Sequence, residues 1–356
     1  MSTSQESAQI TFDAQELQTF AGDVLAAAGV PADGAAVVAA SLVDADLRGI
    51  HSHGVTRLGI YVERLRQGGN DPTGTVTILA QAPAITLLDA GDALGQIASA
   101  RAVEIALEQA RAVGCAVVSV RSGSHFGAAG YWARLIAEAG SLGAASTNGT
   151  PIMVPWGSAA SAMGTNPISF AFPSSGPAPV VVDFATSEAT WGALVNAQAA
   201  GHSIPVSWAL DADGVPTTDA AAAIAARRLV PFGRHKGSAL AVAVELLTGA
   251  LAGASWLSSV PDMYASPERP NALGFFFLAV DPRALGAEGE RLADAVQAVQ
   301  SELNALPATE EAGRVLWPGQ LEAERAAERR EHGIPLPASI VAELQAVARA
   351  VDVPLY

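Results

Sequence analysis

The chain has 356 residues, of which half are hydrophobic and 15% are charged, and its formal net charge is −15. This length exceeds that of most single-core proteins, so two domains are more expected than one. The negative charge opposes non-specific binding of nucleic acid, which needs clustered Lys and Arg. A small anionic ligand is not excluded, because local arginines can reverse the potential inside a cleft.

The single cysteine, Cys115, excludes an intrachain disulfide and any metal site built from several cysteines. It begins the apolar run of residues 115–120, which is typical of a buried strand, so a packed and unreactive thiol is predicted. The N-terminus lacks a basic stretch followed by an apolar one, and no apolar run approaches membrane-spanning length. A soluble, cytoplasmic protein without a membrane partner is therefore expected.

The first 70 residues are predicted to be helical. Asp13 followed by Glu16 resembles a helix start, and an apolar stripe with helical spacing continues until Gly29. Two further helices are predicted over about residues 34–46 and 55–66.

From about residue 75, short β-rich runs alternate with helices, which is typical of α/β layering. The predicted strands cover residues 76–79, 85–88, 116–120, 168–172, 180–184 and 275–280. The predicted helices cover residues 99–113, 128–139, 287–304 and 337–350. We expect an N-terminal helical segment (1–74), an α/β domain that binds cofactor and substrate (75–285), and C-terminal helices packing on the N-terminal segment (286–356).

Residues able to move protons or hold anions are concentrated in three short motifs that contain glycine. The first motif is Arg48-Gly-Ile-His-Ser-His-Gly-Val-Thr-Arg57. Arg57 follows His53 by four residues, a spacing that puts two side chains on one face of a helix. A guanidinium there would hold a carboxylate while the imidazole exchanges a proton with the adjacent oxygen, which suits an oxo or hydroxy acid. The alternative is a helix cap at Ser52 with surface histidines.

The second motif, Arg121-Ser-Gly-Ser-His-Phe-Gly127, follows a predicted strand and precedes a helix, the position where α/β proteins bind ligands. An ordinary turn with a half-buried His125 is the alternative. The third motif, Gly233-Arg-His-Lys-Gly237, contains the only lysine of the chain and opens an apolar helix. A lysine beside free backbone N–H groups predicts an anion site. Its alternative is a capping loop with a solvated lysine.

Two common kinds of site are excluded by spacing. No Gly-x-Gly-x-x-Gly follows a strand, so the sequence lacks the Rossmann fingerprint and glycine spacing gives no nicotinamide site. The histidines do not have zinc-ligand spacing, and no metal is expected.

The motifs occur in a fixed order that resembles one known family. They are Ser52-His-Gly-Val-Thr-Arg57 with Tyr61, Ser124-His-Phe-Gly127, Val154-Pro-Trp-Gly157, Gly164-Thr-Asn-Pro167, Val182-Asp-Phe-Ala-Thr-Ser187, His235-Lys-Gly237 and Trp317-Pro-Gly319. From about residue 12 to the C-terminus, this pattern resembles the type 2 malate/L-lactate dehydrogenase family. That family includes ureidoglycolate dehydrogenase, 2,3-diketogulonate reductase, sulfolactate dehydrogenase and the Δ1-piperideine-2-carboxylate reductases.

The resemblance implies an α/β fold in which a mixed-sheet, non-Rossmann domain binds NAD or NADP, as in sulfolactate dehydrogenase. A helical domain would be built from both chain termini, and the protein would be a homodimer. In such enzymes the counterparts of Ser52 and His53 act in proton transfer, although some members give the proton-acceptor role to the counterpart of His125.

The resemblance also implies which residues contact the ligands. The counterpart of Arg57 binds the carboxylate of a small-molecule substrate, and Tyr61 and Thr165 also match substrate-binding positions. The implied cofactor contacts are Asp183, Phe184, Ala185, His235, Lys236, Pro318 and Gly319.

The sequence departs from the family pattern at several positions. Where the family commonly has Gly-Lys, or Gly-Asp in the piperideine-carboxylate reductases, this chain has Gly192 and Ala193. The missing aspartate favours interconversion of a 2-oxo acid and a 2-hydroxy acid over the alternative, reduction of a cyclic imine such as Δ1-piperideine- or pyrroline-2-carboxylate. Gln320 replaces a common glutamate and Ser238 a common tyrosine, which bears on the choice between NAD and NADP. A non-catalytic, cofactor-binding relative is a further alternative.

Overall fold

A computed structural model describes residues 9–355, so residues 1–8 of the predicted N-terminal segment lie outside the described residues. The nine strands in this range are β1 (Gln9–Phe12), β2 (Thr77–Ala82), β3 (Ile85–Asp89), β4 (Cys115–Gly123), β5 (Leu142–Thr147), β6 (Ile168–Phe172), β7 (Val180–Phe184), β8 (Leu273–Val280) and β9 (Ile334–Pro337).

Twelve α-helices are present over the same residues. They are α1 (Ala14–Ala27), α2 (Ala32–Leu47), α3 (Leu58–Gln67), α4 (Gly95–Val113), α5 (Ala129–Glu138), α6 (Trp191–Ala199), α7 (Ala220–Ala226), α8 (His235–Glu245), α9 (Ala287–Glu290), α10 (Leu292–Ala305), α11 (Gln320–His332) and α12 (Ala338–Val351). A π-helical turn, Leu246–Ala250, extends α8. Nowhere between residues 9 and 355 is there a helix with the length and apolar character needed to cross a bilayer.

The first helix, α1, shows how local sequence produces this structure. The Asp13 side chain accepts hydrogen bonds from the backbone N–H groups of Gln15 and Glu16, at 2.7 and 3.0 Å, and so caps α1. The apolar stripe that includes Leu17 and Phe20 is almost fully buried. Burial of such side chains contributes roughly 1.5–3 kcal/mol each, which fixes the orientation of α1.

Both ends of the described chain contribute to one apolar core. β1 pairs antiparallel with β9, with Gln9 opposite Pro337. α12 packs against α1 and α3, and α11 packs against α2. The prediction that the C-terminal helices pack on the N-terminal segment fails for α10. Its Gln300 side chain instead accepts a hydrogen bond from Ser174 Oγ at 2.7 Å and donates one to the Ala178 carbonyl at 2.8 Å, in the segment between β6 and β7.

A seven-stranded mixed sheet forms the second layer, in the order β2-β3-β4-β8-β5-β6-β7. Among these strands only β3 and β4 run parallel, and the remaining pairs are antiparallel. The central strand β8 contributes Phe275 and Phe277, which are fully buried beneath α4 and α5 together with Phe126. A third apolar cluster, which includes Met153 and Leu229, underlies the segment of α6, α7 and α8.

Cys115 contradicts one expectation, because its residue is exposed rather than packed. It is the first residue of β4 and follows Gly114, which has a left-handed backbone (φ +95°) and ends α4. The buried positions of β4 begin only at Ala116. An apolar run at a strand end therefore misled the prediction.

Candidate functional site

Ser52, His53 and Arg57 lie on two consecutive 3-10 turns, His51–His53 and Val55–Arg57, joined by Gly54. The prediction that His53 and Arg57 share one helical face is wrong, because α3 begins only at Leu58. Arg57 instead folds back, and its Nε donates a 2.6 Å hydrogen bond to the Ser52 carbonyl. The backbone therefore brings the guanidinium to the Ser52–His53 pair by a different route from the one expected.

Asp46, at the end of α2, is hydrogen-bonded to both 3-10 turns. Its buried carboxylate is hydrogen-bonded to His51 Nδ1 and to the Val55 backbone N–H, at 2.7 Å each. A Cβ added at Gly54 would lie 2.1 Å from Asp46 Oδ1, so a side chain at this position would displace the carboxylate. Burial raises the pKa of Asp46, against the opposing effect of these two hydrogen bonds.

Two imidazoles converge beside Arg57. Ser52 Oγ lies 3.0 Å from His53 Nδ1, and the His53 and His125 rings stack with centroids 5.5 Å apart. His125 follows the end of β4 and precedes α5, as the sequence predicted. The Tyr61 hydroxyl, on α3, lies 2.7 Å from His125 Nδ1. Four of the predicted catalytic and substrate-binding residues are thus contiguous with Arg57.

Burial and a nearby positive charge keep both imidazoles neutral at physiological pH. Burial, followed by the nearby positive charge of Arg57, lowers the pKa of His53 to about 3. The same two causes lead in holding the pKa of His125 well below its usual value. Burial also raises the pKa of the Tyr61 phenol, so this group remains protonated. A neutral imidazole has a free nitrogen lone pair that can accept a proton from a hydroxyl group, and the adjacent positive charge of Arg57 opposes that transfer.

The hydrogen bonds found for Thr165 within residues 9–355 go to Thr186 and not to the imidazoles. Its carbonyl accepts bonds from the backbone N–H and from the hydroxyl of Thr186, both at 2.8 Å. These bonds connect the loop of Thr165 to the segment that follows β7. Thr165, the predicted substrate residue, is therefore hydrogen-bonded to Thr186, which directly follows the predicted cofactor segment 183–185.

A cleft between the helical layer and β7 contains three of the predicted cofactor residues: Asp183, Pro318 and Gly319. Asp183 accepts a 2.9 Å hydrogen bond from the Gly130 N–H at the start of α5. Although the Asp183 residue is exposed, the protein atoms around its carboxyl group disfavour the charged form and raise its pKa to about 6. The Pro318 carbonyl accepts a bond from the Val181 N–H, at 3.0 Å, which fixes this loop against the strand.

The third motif lies outside this cleft lining. His235 and Lys236 are the exposed first residues of α8. Their connection to the cofactor segment is indirect, through Phe232, whose ring packs edge-on against Phe184 with centroids 5.8 Å apart. Within one chain, the structure therefore does not bring Lys236 to Asp183 or to the imidazoles.

Several side chains at these sites were not predicted from the sequence. Asp46 lies two residues before Arg48 of the first motif, so an acid close to that motif was a signal that could have been used. Gln96 donates from Nε2 to the Tyr61 hydroxyl at 2.9 Å, and Tyr264 contacts Arg57. Tyr264 carried no sequence signal. No group of three or more potential metal ligands among His, Cys, Asp and Glu occurs in the part of the chain that is described.

The mixed sheet and the helices packed on it define an α/β protein, and the paired imidazoles beside Arg57 form its candidate site. Residues 12–345 match the family model for malate/L-lactate dehydrogenase, and the chain belongs to this family. The suspected resemblance is thereby confirmed.

Individual relatives resemble the chain over most of their length. A (2R)-3-sulfolactate dehydrogenase (NADP(+)) of Chromohalobacter salexigens is 37% identical over 94% of this chain and 97% of its own. A ureidoglycolate dehydrogenase (NAD(+)) of Escherichia coli K12 is 34% identical over 83% of this chain and 84% of its own. The crystal structure of malate dehydrogenase from Entamoeba histolytica has a TM-score of 0.92 and 26% identity, and the match covers 98% of this chain and 99% of that one.

Proposed function

We propose that this chain is an NAD- or NADP-dependent oxidoreductase that interconverts a 2-oxo acid and a 2-hydroxy acid. The observation that carries the proposal is the grouping of Arg57 with two neutral imidazoles, His53 and His125. A carboxylate held by the guanidinium would place the neighbouring oxygen of the same small acid beside an imidazole. Relatives named for NAD(+) and for NADP(+) support the same cofactor class.

The residues of the β7 cleft fit a nicotinamide cofactor. Gly319 has a left-handed backbone (φ +89°), and a Cβ at this position would meet Val181 atoms at 3.1 Å, so the loop lies close against β7 only as glycine. Asp183 offers carboxylate oxygens as acceptors for hydroxyl groups. When bound, the nicotinamide would supply or accept the hydride. The proposed contacts in and beside this cleft are Asp183, Phe184, Ala185, Pro318 and Gly319. His235 and Lys236, which lie outside the cleft lining, are also proposed to contact the cofactor.

The architecture supports a cofactor domain of a type other than Rossmann. A Rossmann domain uses mostly parallel strands and a glycine-rich turn, whereas only one parallel pair occurs in the described seven-stranded sheet. We propose that this sheet carries the cofactor and that the layer built from both chain ends carries Ser52, His53 and Arg57.

Proton transfer is assigned to the imidazoles. In the oxidation of a 2-hydroxy acid, a neutral His53 or His125 would accept the hydroxyl proton, with Ser52 and Tyr61 respectively orienting the rings. Binding of the substrate carboxylate would offset the charge of Arg57, one of the causes that lower the pKa of both rings. The imidazole would therefore hold the accepted proton better when substrate is present.

A second copy of this chain is the proposed protein partner. α8 and the turns that follow it expose an apolar surface, in which Val242, Leu246, Leu251 and Trp256 are each more than 40% exposed. Exposed apolar surface of this kind is typical of an interaction site, and twofold dimers are the commonest soluble assemblies. Analytical ultracentrifugation of the wild-type chain tests this proposal, and a mass of one chain would contradict it.

A turnover screen tests the proposed reaction. Purified protein is mixed with NADH or NADPH and a panel of 2-oxo acids, with cyclic imine carboxylates as the competing class, and cofactor absorbance is followed. Arg57→Lys should raise KM steeply, because a point charge cannot replace the planar guanidinium. Arg101→Lys, an exposed arginine on α4, is the matched control. Turnover of imines alone, or an unchanged KM in Arg57→Lys, would reject the proposed substrate or the proposed clamp.

A further inference from the structure

Tyr264 is positioned directly on the guanidinium that is proposed to hold the substrate. Arg57 Nη1 donates a hydrogen bond to the Tyr264 hydroxyl oxygen, although the two residues are 207 positions apart. The Tyr264 side chain is otherwise open to solvent, since the residue is 54% exposed. The phenol therefore does not serve as core packing at this position.

The backbone beneath Tyr264 is held in place by a neighbouring aspartate. Asp262 Oδ1 accepts hydrogen bonds from the N–H groups of Tyr264 and Ala265, at 2.8 Å each. The other carboxylate oxygen of Asp262 pairs with Arg227, whose guanidinium lies 5.6 Å from the centroid of the Trp191 ring. An exposed tyrosine is thus presented to Arg57 by a turn that is anchored at both oxygens of one side chain.

Several hydrogen-bond donors of Arg57 and Tyr264 have no partner among residues 9–355. Arg57 Nε is engaged by the Ser52 carbonyl, and Nη1 gives one proton to Tyr264, so Nη2 and the second Nη1 proton remain. The Tyr264 oxygen acts as acceptor in this contact, and its own proton has no acceptor among residues 9–355. Guanidinium and phenol protons therefore lie side by side without a partner.

We propose that the Tyr264 hydroxyl is a second donor to the substrate carboxylate, so that the acid is bound by the Arg57–Tyr264 pair. The arginine contributes the charge and two N–H groups, and the phenol contributes an O–H to one carboxylate oxygen. This inference rests on the proposed function for the identity of the substrate. The anion contact itself can be measured without any turnover.

Binding of oxalate, a compact carboxylate that needs no chemistry, tests the proposal. Calorimetric titrations are made on the full chain, alone and with saturating NADH or NADPH. Tyr264→Phe retains the ring and removes only the hydroxyl, and we expect oxalate to bind about tenfold or more weakly, as when one hydrogen bond to a charged group is lost. Ser258→Ala, which removes an exposed hydroxyl from the preceding stretch of the chain, should bind as the wild type does.

Three results of these titrations would overturn the inference. Equal affinity in Tyr264→Phe would show that the hydroxyl does not touch the anion, and tighter binding would show that it competes with the anion for Arg57. A wild-type chain that binds no oxalate would reject the anion site. Oxalate binding that depends on Tyr264 in a chain that turns over no 2-oxo acid would reject the proposed reaction alone. In an active chain, Tyr264→Phe should raise KM for the preferred acid while kcat stays within about twofold, a split that misfolding would not produce.

Discussion

Replacement of Asp46 by asparagine tests how the Ser52–His53 turn is held in place. The buried carboxylate is bonded to two groups that flank the pair, the His51 ring and the Val55 backbone N–H, at 2.7 Å each. Arg329, on α11, also contacts Asp46, because its Nη1 donates a hydrogen bond to the Asp46 backbone carbonyl. One side chain thus connects α2 to both 3-10 turns.

The magnitude follows from the number of bonds lost. Asp46→Asn preserves shape and one acceptor oxygen but sets an NH₂ group against the second partner. One unpaired buried polar group costs about 1–3 kcal/mol, so the free energy of unfolding should fall by that amount. Asp46→Ala removes both acceptors and should cost roughly twice as much, because two donors lose their partner. Turnover should also fall, because Ser52 and His53 lie between the two anchored residues.

Urea unfolding followed by circular dichroism measures the first effect, and kcat with a 2-oxo acid measures the second. Asp23→Asn, an exposed carboxylate on α1, is the control and should change stability by less than about 0.5 kcal/mol. An Asp46→Asn protein as stable and as active as the wild type would refute the reasoning. Lower stability with unchanged kcat would limit Asp46 to a structural role.

Two predictions concern the imidazoles themselves. Alanine at the proton-transferring residue should lower turnover about 10²–10⁴-fold, so His53→Ala that keeps most of its turnover would move the role to His125. The folded pKa of His53 is about 3 against 6.5 for the free side chain, so the unfolded chain binds the extra proton between these values. Its contribution to stability is therefore full above pH 6.5 and is lost as the pH falls toward 3. Urea unfolding should show a weaker pH dependence in His53→Ala than in the wild type, and equal slopes would contradict the shift.

The sequence predicted regular elements well where apolar runs were bounded by Gly and Pro. The expected strands at residues 168–172 and 180–184 agree with β6 and β7. β5 was missed, because its sequence, Leu-Gly-Ala-Ala-Ser-Thr, has small residues and little β-branching. It is a strand because β6 and β8 pair with it on either side, and Gly143 lets α5 approach closely. Such tertiary causes leave no local pattern.

The candidate site divides in the same way. Short motifs identified the residues, and the order of those motifs identified the family. The local geometry was beyond the reach of spacing rules, because residues 51–57 form two 3-10 turns around the buried Asp46 and the expected helix begins only at Leu58. Tyr264 meets Arg57 across 207 positions and lies in a connection without a recognisable motif, so only the folded chain reveals it.

The pairing of β1 with β9 has a consequence for how the protein is made. A ribosome releases the first strand and the helices after it long before Ile334–Pro337 leaves the exit tunnel. Until α11 and α12 have been synthesised, the apolar surfaces of α1, α2 and α3 that they cover remain exposed. In an unfinished polypeptide, Arg57 therefore belongs to a helical layer whose core is incomplete. Premature termination before α12, or its proteolytic removal, should therefore abolish binding and turnover of the proposed substrate. This loss is expected although Ser52, His53, Arg57 and His125 are all still present.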